Sequence, residues 1–302
     1  MKQRPVDKIN VQNRNRQKTA WWKALAVCLL VCALLAASVP TAAAAGTLTV
    51  KAMTFNLLFT GWWARSPLAR APGIVDMIRR ESPDIIGTQE TIEFWRIALG
   101  VSLWDEYGFA ANIGKWFGFI DGSTIMYKRS RFECIEQGVF WLAEVEWMPW
   151  ISWGAKDARI AGWAVLKEKS TGKTFRVINA HMDWKSAKAR EESAKILLRR
   201  IKERDIPTIL LGDFNSDPSA APHKLLVNGG IKDAYSLTGA KVAREPTFHD
   251  YQTKNPWLRI DYIMGNKYLL KATNYKTIKD KVNGEYLSDH FPIEATLTLS
   301  IP

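Results

Sequence analysis

The chain has 302 residues, a formal charge of +12 and three cysteines, Cys28, Cys32 and Cys134. Residues 1–45 carry seven Lys or Arg and one Asp, half of the net charge, together with two of the cysteines. The remainder is a mildly basic chain that no internal disulfide framework or thiolate-rich zinc site can hold together.

Those first 45 residues read as an export signal. A basic stretch over 2–23 precedes an apolar run over 24–39, and small residues then lead to Ala43-Ala44-Ala45 before Gly46. The alternative is an uncleaved anchor over 24–45, although the run passes into Ala, Ser, Pro and Thr before reaching the roughly 20 apolar residues a span needs. A secreted or cell-surface protein is expected on the first reading, a membrane-anchored one on the second. Residues 46–302 show no linker, repeat or low-complexity break, so one large domain is expected there.

Strand and helix patterns then alternate without a steady βα rhythm. Alternation predicts a strand over 47–56, helical spacing marks 74–81, and a short apolar strand occupies 84–88 before a helix over 92–103. Strands follow over 109–111, 123–128 and 132–141, with Cys134 as a packed thiol in the last. A hairpin joins 159–168 to 174–180 through the turn "KSTGK". Residues 187–202 place Ala187, Ala194, Leu197, Leu198 and Ile201 on one helical face. A strand over 208–211, a helical segment near 223–227 and strands over 259–264 and 293–299 complete the chain. The pattern fits an α+β fold, two packed and mostly antiparallel sheets with helices outside.

Several strands end in polar side chains. "MTFN" ends in Asn56, "DIIGTQE" in Glu90, "NAHMD" carries His181 and Asp183, and "LLGDFN" ends in Asp213 and Asn215. "RIDY" carries Asp261, and "SDHFP" carries Asp289 and His290. Each alone is an ordinary turn or cap signal. Together they supply carboxylate and amide oxygens that suit a hard divalent cation, and two histidines that titrate near neutrality. That set points to attack of water on a phosphate ester.

In these residues the chain resembles the endonuclease/exonuclease/phosphatase superfamily, the deoxyribonuclease I-like hydrolases, over nearly all of residues 49–299. The runs "GVFWL", "DARIAGW", "NAHMDW", "AREESA", "GDFNSDP" and "RIDYIM" are similar to bacterial members of unassigned substrate. The resemblance implies a four-layered α/β-sandwich with the active site at one edge of the two sheets. It implies Mg²⁺, with Mn²⁺ or Ca²⁺ as alternatives, held by Glu90 with Asn56 nearby and Asp289 as a further carboxylate. Asp213 and Asn215 match the pair that orients water and holds phosphate or metal, and Asn56 counts among the substrate ligands as well. His290 matches the catalytic histidine, oriented by Asp261, and His181 matches the second histidine. Arg159 matches a phosphate-clamping arginine, with a surface ion pair as the alternative. Asp183 either supports His181 or is a solvated strand-end acid.

Substrate choice stays open on the sequence. Trp62-Trp63, Trp116-Phe117 and the run Trp147, Trp150, Trp153 cluster outside strand patterns, where they suit stacking on bases or insertion at a membrane surface. A phosphodiester of nucleic acid is the favoured substrate. A sphingomyelinase-like lipid phosphodiesterase and a sugar or inositol phosphate phosphatase are the alternatives, and a non-catalytic binding module is disfavoured. No protein partner is implied. Strand alternation also predicts that Asp213 and Asn215 project together, with Phe214 packed on the opposite face.

Overall fold

A computed structural model describes residues 46–60, 65–111, 122–239, 245–251 and 258–302. Residues 1–45, where the sequence leads to the expectation of an export signal, lie outside the described residues, as do Trp62, Trp63, Trp116 and Phe117. In chain order the elements are β1 (Gly46–Asn56), α1 (Pro67–Glu81), β2 (Ile85–Gln89), α2 (Glu93–Leu103), β3 (Tyr107–Ala110), β4 (Thr124–Lys128) and β5 (Phe132–Trp141). There follow β6 (Ile160–Glu168), β7 (Thr174–His181), α3 (Ala187–Lys202), β8 (Thr208–Asp213), α4 (Ala221–Asn228), β9 (Lys232–Asp233) and α5 (Ala234–Leu237). The chain closes with β10 (Asp261–Gly265), β11 (Leu269–Thr277), the small pair β12 (Lys281–Val282) and β13 (Glu285–Tyr286), and β14 (Ile293–Ile301).

Two six-stranded sheets form, in the orders β11-β14-β1-β2-β4-β3 and β5-β6-β7-β8-β10-β9. Every neighbour pair is antiparallel except β1 with β2 and β7 with β8. The layers follow from alternation along the strands. Val50, Ala52, Ile85, Val177, Ile209, Leu211 and Ile263 face the seam between the sheets. Their neighbours Met53, Phe55 and Ile86 face outward onto Ile74, Ile78, Trp95 and Leu99 of α1 and α2. On the other side Ile178, Leu210, Tyr262 and Met264 pack against Ala194, Leu197 and Ile201 of α3 and Leu226 of α4. Helix, sheet, sheet, helix is the four-layered arrangement expected.

Two local differences have physical causes. Helix α1 begins at Pro67, capped by Ser66 Oγ accepting from Ala69 N, and runs through Pro72. The sequence pattern starts it after Pro72, because a proline there removes one backbone donor. Strand β11 carries no clean alternation because it is an edge strand with irregular register at Leu269/Lys271 and Thr273/Lys276.

Toward one end of the seam the apolar residues give way to amides. Asn179 of β7 donates from Nδ2 to Thr88 O and Thr124 O, both at 2.9 Å, crossing to the other sheet. Its Oδ1 accepts from Gln89 Nε2 at 2.7 Å, and Gln89 Nε2 also reaches Thr54 Oγ1 at 2.9 Å. Thr54, Gln89 and Asn179 are fully buried. Removing one side of such a network leaves buried groups unpaired. Asn179→Leu is therefore expected to lower unfolding stability by about 2–4 kcal/mol, measured by urea denaturation, with the transition remaining cooperative.

Candidate active site

Beyond the amide layer the same seam-facing positions become the site. Asp213 ends β8, paired in register with His181 of β7 on one side and Asp261 of β10 on the other. Across the seam Asn56 of β1 donates from Nδ2 to Asp213 Oδ2 at 3.0 Å. The same carboxylate oxygen lies 3.5 Å from His181 Nε2 and 3.7 Å from His290 Nε2. Gly212 permits this convergence: its φ is +150°, and a Cβ there would fall 2.0 Å from Ala180 O. Only glycine tolerates that approach.

Asn215 reaches the site by a different route from the one strand alternation predicts. The extended conformation stops at Asp213, and Asn215 adopts a left-handed turn with φ +48°. Its N–H donates to Asp213 Oδ1 at 2.8 Å and its Nδ2 donates to Met182 O at 3.0 Å, 3.1 Å from His181 Nε2. An asparagine accepts this conformation more readily than most residues. Phe214 does face the helix layer, stacked on Tyr262 with centroids 4.8 Å apart.

Glu90 also sits in a left-handed conformation, φ +54°, immediately after β2. Its Oε1 accepts from Asn56 Nδ2 at 3.1 Å and its Oε2 from Phe59 N at 2.8 Å. Asn56 Oδ1 accepts from Leu58 N at 3.0 Å. That bonding fixes the amide: its nitrogen must face the two carboxylates and its oxygen the backbone. Asn56 thus spaces Glu90 and Asp213, with its oxygen bonded to the backbone of Leu58.

His290 donates from Nδ1 to Asp261 Oδ2 at 2.9 Å. Burial disfavours its charge, but the Asp261 and Asp213 carboxylates outweigh that and raise its pKa well above the ordinary imidazole value. Burial is also the main influence raising Asp261, with the Asp213 charge adding to it. The ring of Phe248 packs on His290 at 4.8 Å. Asp289 accepts from Ser288 Oγ at 3.1 Å and lines the cavity described below.

Arg159 is buried, not a surface ion-pair partner. Its Nη1 lies 3.0 and 3.1 Å from the two ring nitrogens of His181, and its guanidinium is 3.7 Å from Asp157 Oδ2 and 3.9 Å from Asp183 Oδ2. Asp183 is likewise buried, so it is not a solvated strand-end acid; it accepts backbone N–H bonds from Lys156, Lys185 and Ser186 at 2.8, 3.0 and 2.7 Å.

Two positioning residues escape sequence reasoning. Arg70 of α1 is fully buried and donates to Leu57 O, Leu58 O and Leu287 O at 2.6, 2.7 and 2.8 Å, joining the segments that follow Asn56 and precede Asp289. Burial pushes its guanidinium pKa down, opposed by Tyr251, Asp289 and Glu90. Thr247 accepts through Oγ1 from Ile260 N and Asp261 N, both at 3.0 Å, while its carbonyl accepts from Phe291 N at 2.6 Å. It therefore joins the Asp261 and His290 segments. A helix arginine and a loop threonine carry no periodic signal that would distinguish them.

Glu90, Arg159, His181, Asp213, Asn215, Asp289 and His290 line one cavity of about 700 Å³. Buried catalytic-type side chains form its floor, while Phe59, Ile151 and Trp184, each more than half exposed, stand at its rim. Ile151 brings the aromatic run to the cavity, whereas Trp147 and Trp150 point to solvent. The donor set is rich in carboxylate oxygen and fits a hard divalent cation. One ligand atom each from Asp213, Asp261 and His290 lie within 4.8 Å of one another. Because Asp261 and His290 are bonded to each other, the cavity-facing Glu90 and Asp289 are the better donors beside Asp213.

Comparison with known proteins agrees with this fold. The model of the Endonuclease/Exonuclease/phosphatase family matches residues 53–290. An endonuclease/exonuclease/phosphatase family protein from Bacteroides thetaiotaomicron is 28% identical with a TM-score of 0.75, over 85% of this chain and 97% of that one. The mannosyl-6-phosphatase of Bacteroides thetaiotaomicron VPI-5482 is 29% identical with a TM-score of 0.70, over 82% of this chain and 99% of that one. Carbon catabolite repressor protein 4 homolog 3 of Arabidopsis thaliana is 27% identical over 185 residues, 57% of this chain; the match spans only 39% of that relative.

The His290 pairing has a consequence for stability. A proton held more tightly in the folded chain stabilises it, fully below the ordinary imidazole pKa of about 6.5. That contribution is lost as pH rises through the raised value. Asp261→Asn removes the main attraction, so the stability gap between wild type and variant should narrow as pH rises from about 6, near the ordinary imidazole value, through the raised one. Chemical denaturation across that range in EDTA measures it; a gap that widened would overturn the assignment.

Proposed function

The chain belongs to the endonuclease/exonuclease/phosphatase family and is a hydrolase acting on phosphate esters, and given that membership we propose that it is a divalent-metal-dependent phosphoesterase of compact substrates. The observation that carries the proposal is the buried Asp213 carboxylate, shared among Asn56, His181 and His290 at the floor of the cavity. Magnesium is the proposed cation, with manganese or calcium as alternatives, held by Glu90 and Asp289 with Asp213 adjoining. When bound, it supplies positive charge against the phosphoryl oxygens and the leaving group.

The protein groups then divide the remaining work. Asp213 accepts the proton of the attacking water, its orientation fixed by Asn56 and by the N–H of Asn215. His290, kept protonated by Asp261, donates from Nε2 to a phosphoryl oxygen as negative charge accumulates. Arg159 and Asn215 hold further phosphate oxygens, and Arg159 with His181 braces the leaving-group side.

Nucleic acid is the substrate the sequence favours, but a polynucleotide is bound through many phosphate contacts. Among the described lining residues, Arg159 is the only Lys or Arg. That supports a substrate with one phosphate in a bounded pocket. A lipid phosphodiester is the second reading, favoured by Trp147 and Trp150, which are exposed on the loop that reaches the cavity. Export through residues 1–45, to a secreted or cell-surface location, is part of the same proposal.

Asp213→Asn and Glu90→Gln are expected to lower kcat by about 100- to 10,000-fold while leaving the thermal midpoint near wild type. EDTA should remove activity and added Mg²⁺ should restore it. Assays on p-nitrophenyl phosphate, bis-p-nitrophenyl phosphate, single-stranded DNA and sphingomyelin vesicles separate the substrate classes. Full activity of Asp213→Asn would sink this mechanism.

A further inference from the structure

Two exposed residues in the cavity take no part in that chemistry. Asp157 has a half-exposed side chain and Trp184 is 56% exposed, and both line the cavity beside the phosphate-binding groups. Neither position is accidental, because one buried carboxylate sets both. Asp183 binds the backbone of Lys156 on one loop and of Lys185 and Ser186 on the other. Arg190 Nη1 adds bonds to Asp183 O and Trp184 O at 3.0 and 2.9 Å, and Ser186 Oγ donates to Trp153 O at 2.7 Å. The two loops are thereby tied together, and each delivers one residue to the rim.

An aspartate is an unexpected lining residue in a pocket for anions. It sits 3.7 Å from Arg159, yet a carboxylate has about four acceptor sites, and one distant ion pair leaves most of them for a ligand. Near a bound phosphate it repels any second phosphate and accepts hydrogen bonds from hydroxyl groups. An exposed indole offers a broad apolar face with low ordering cost. Carboxylate and indole together match a neutral ring that is hydroxylated on its edge and carries C–H groups on its face.

We propose that Asp157 and Trp184 form a specificity subsite for a sugar ring, so that the substrate is a hexose phosphate whose phosphate lies at Arg159, His181 and Asn215. The inference rests on the phosphoesterase reading above and adds the leaving group to it. It accounts for why, among the described lining residues, the phosphate pocket holds a single guanidinium and an opposing acid.

The test compares kcat/KM for mannose 6-phosphate and glucose 6-phosphate with that for p-nitrophenyl phosphate, which has no hydroxyl groups, in the full chain with Mg²⁺. In Asp157→Ala and Trp184→Ala the ratio of sugar phosphate to p-nitrophenyl phosphate should fall by about 10- to 100-fold, mainly through KM. Trp184→Phe should keep most of the ratio. A ratio unchanged in both alanine variants overturns the subsite, as does a wild type that prefers 5′-nucleotides or p-nitrophenyl phosphate to both hexose phosphates. A wild type that hydrolyses none of these compounds in Mg²⁺ or Mn²⁺ fails the phosphoesterase reading itself.

Discussion

The hydrogen-bonded amides of Gln89 and Asn179 hold the two sheets in register where it matters most. Apolar contacts along the seam are non-directional and would tolerate sliding by a fraction of a residue. A carboxamide crossing from β7 to Thr88 O and Thr124 O does not, because both bonds must form at once. Everything beyond that layer inherits its placement. Asn56 and Glu90 come from one sheet, His181, Asp213 and Asp261 from the other, and Asn56 bonds to Asp213 only while the sheets keep this offset.

The chemistry of the floor follows from concentrating acids in a dry place. Asp213 and Asp261 are almost fully buried, and two carboxylates there are costly without compensation. The compensation comes in different forms at different points. His290 holds a positive charge between the two aspartates, the N–H groups of Asn56 and Asn215 bind Asp213, and Arg70 lies behind the segments that follow Asn56 and precede Asp289. Arg70 itself is stabilised mostly by backbone carbonyls, so its charge acts through space instead of being spent on one partner.

Strand periodicity put the polar residues at strand ends, and the family resemblance implied that they meet in one site. Polar residues at alternate positions, ending apolar runs, face the same seam as the core residues that precede them, and His181 and Asp213 obey that rule. What escaped depends on departures from regular structure. Asn215 enters by a left-handed turn that alternation does not describe. Arg70 precedes the helical spacing at 74–81, and only the earlier start of α1 and its burial show that it faces inward. Thr247 acts through its hydroxyl and carbonyl on two distant segments, a role with no local pattern. Strand β11 was hidden because its irregular register breaks the alternation of its side chains.

The cavity has two supports, which meet where Arg159 lies 3.9 Å from Asp183. Its floor hangs from strand ends locked by the amide layer, whereas its rim at Asp157 and Trp184 is organised by Asp183 and Arg190 through loop backbone. The anchoring bonds of the rim are backbone N–H and carbonyl groups, which almost any residue supplies. The side chains those loops present can therefore drift under selection without disturbing the catalytic frame. Such a molecule is built for divergence: one hydrolytic engine able to acquire new diets by rewriting a handful of loop positions.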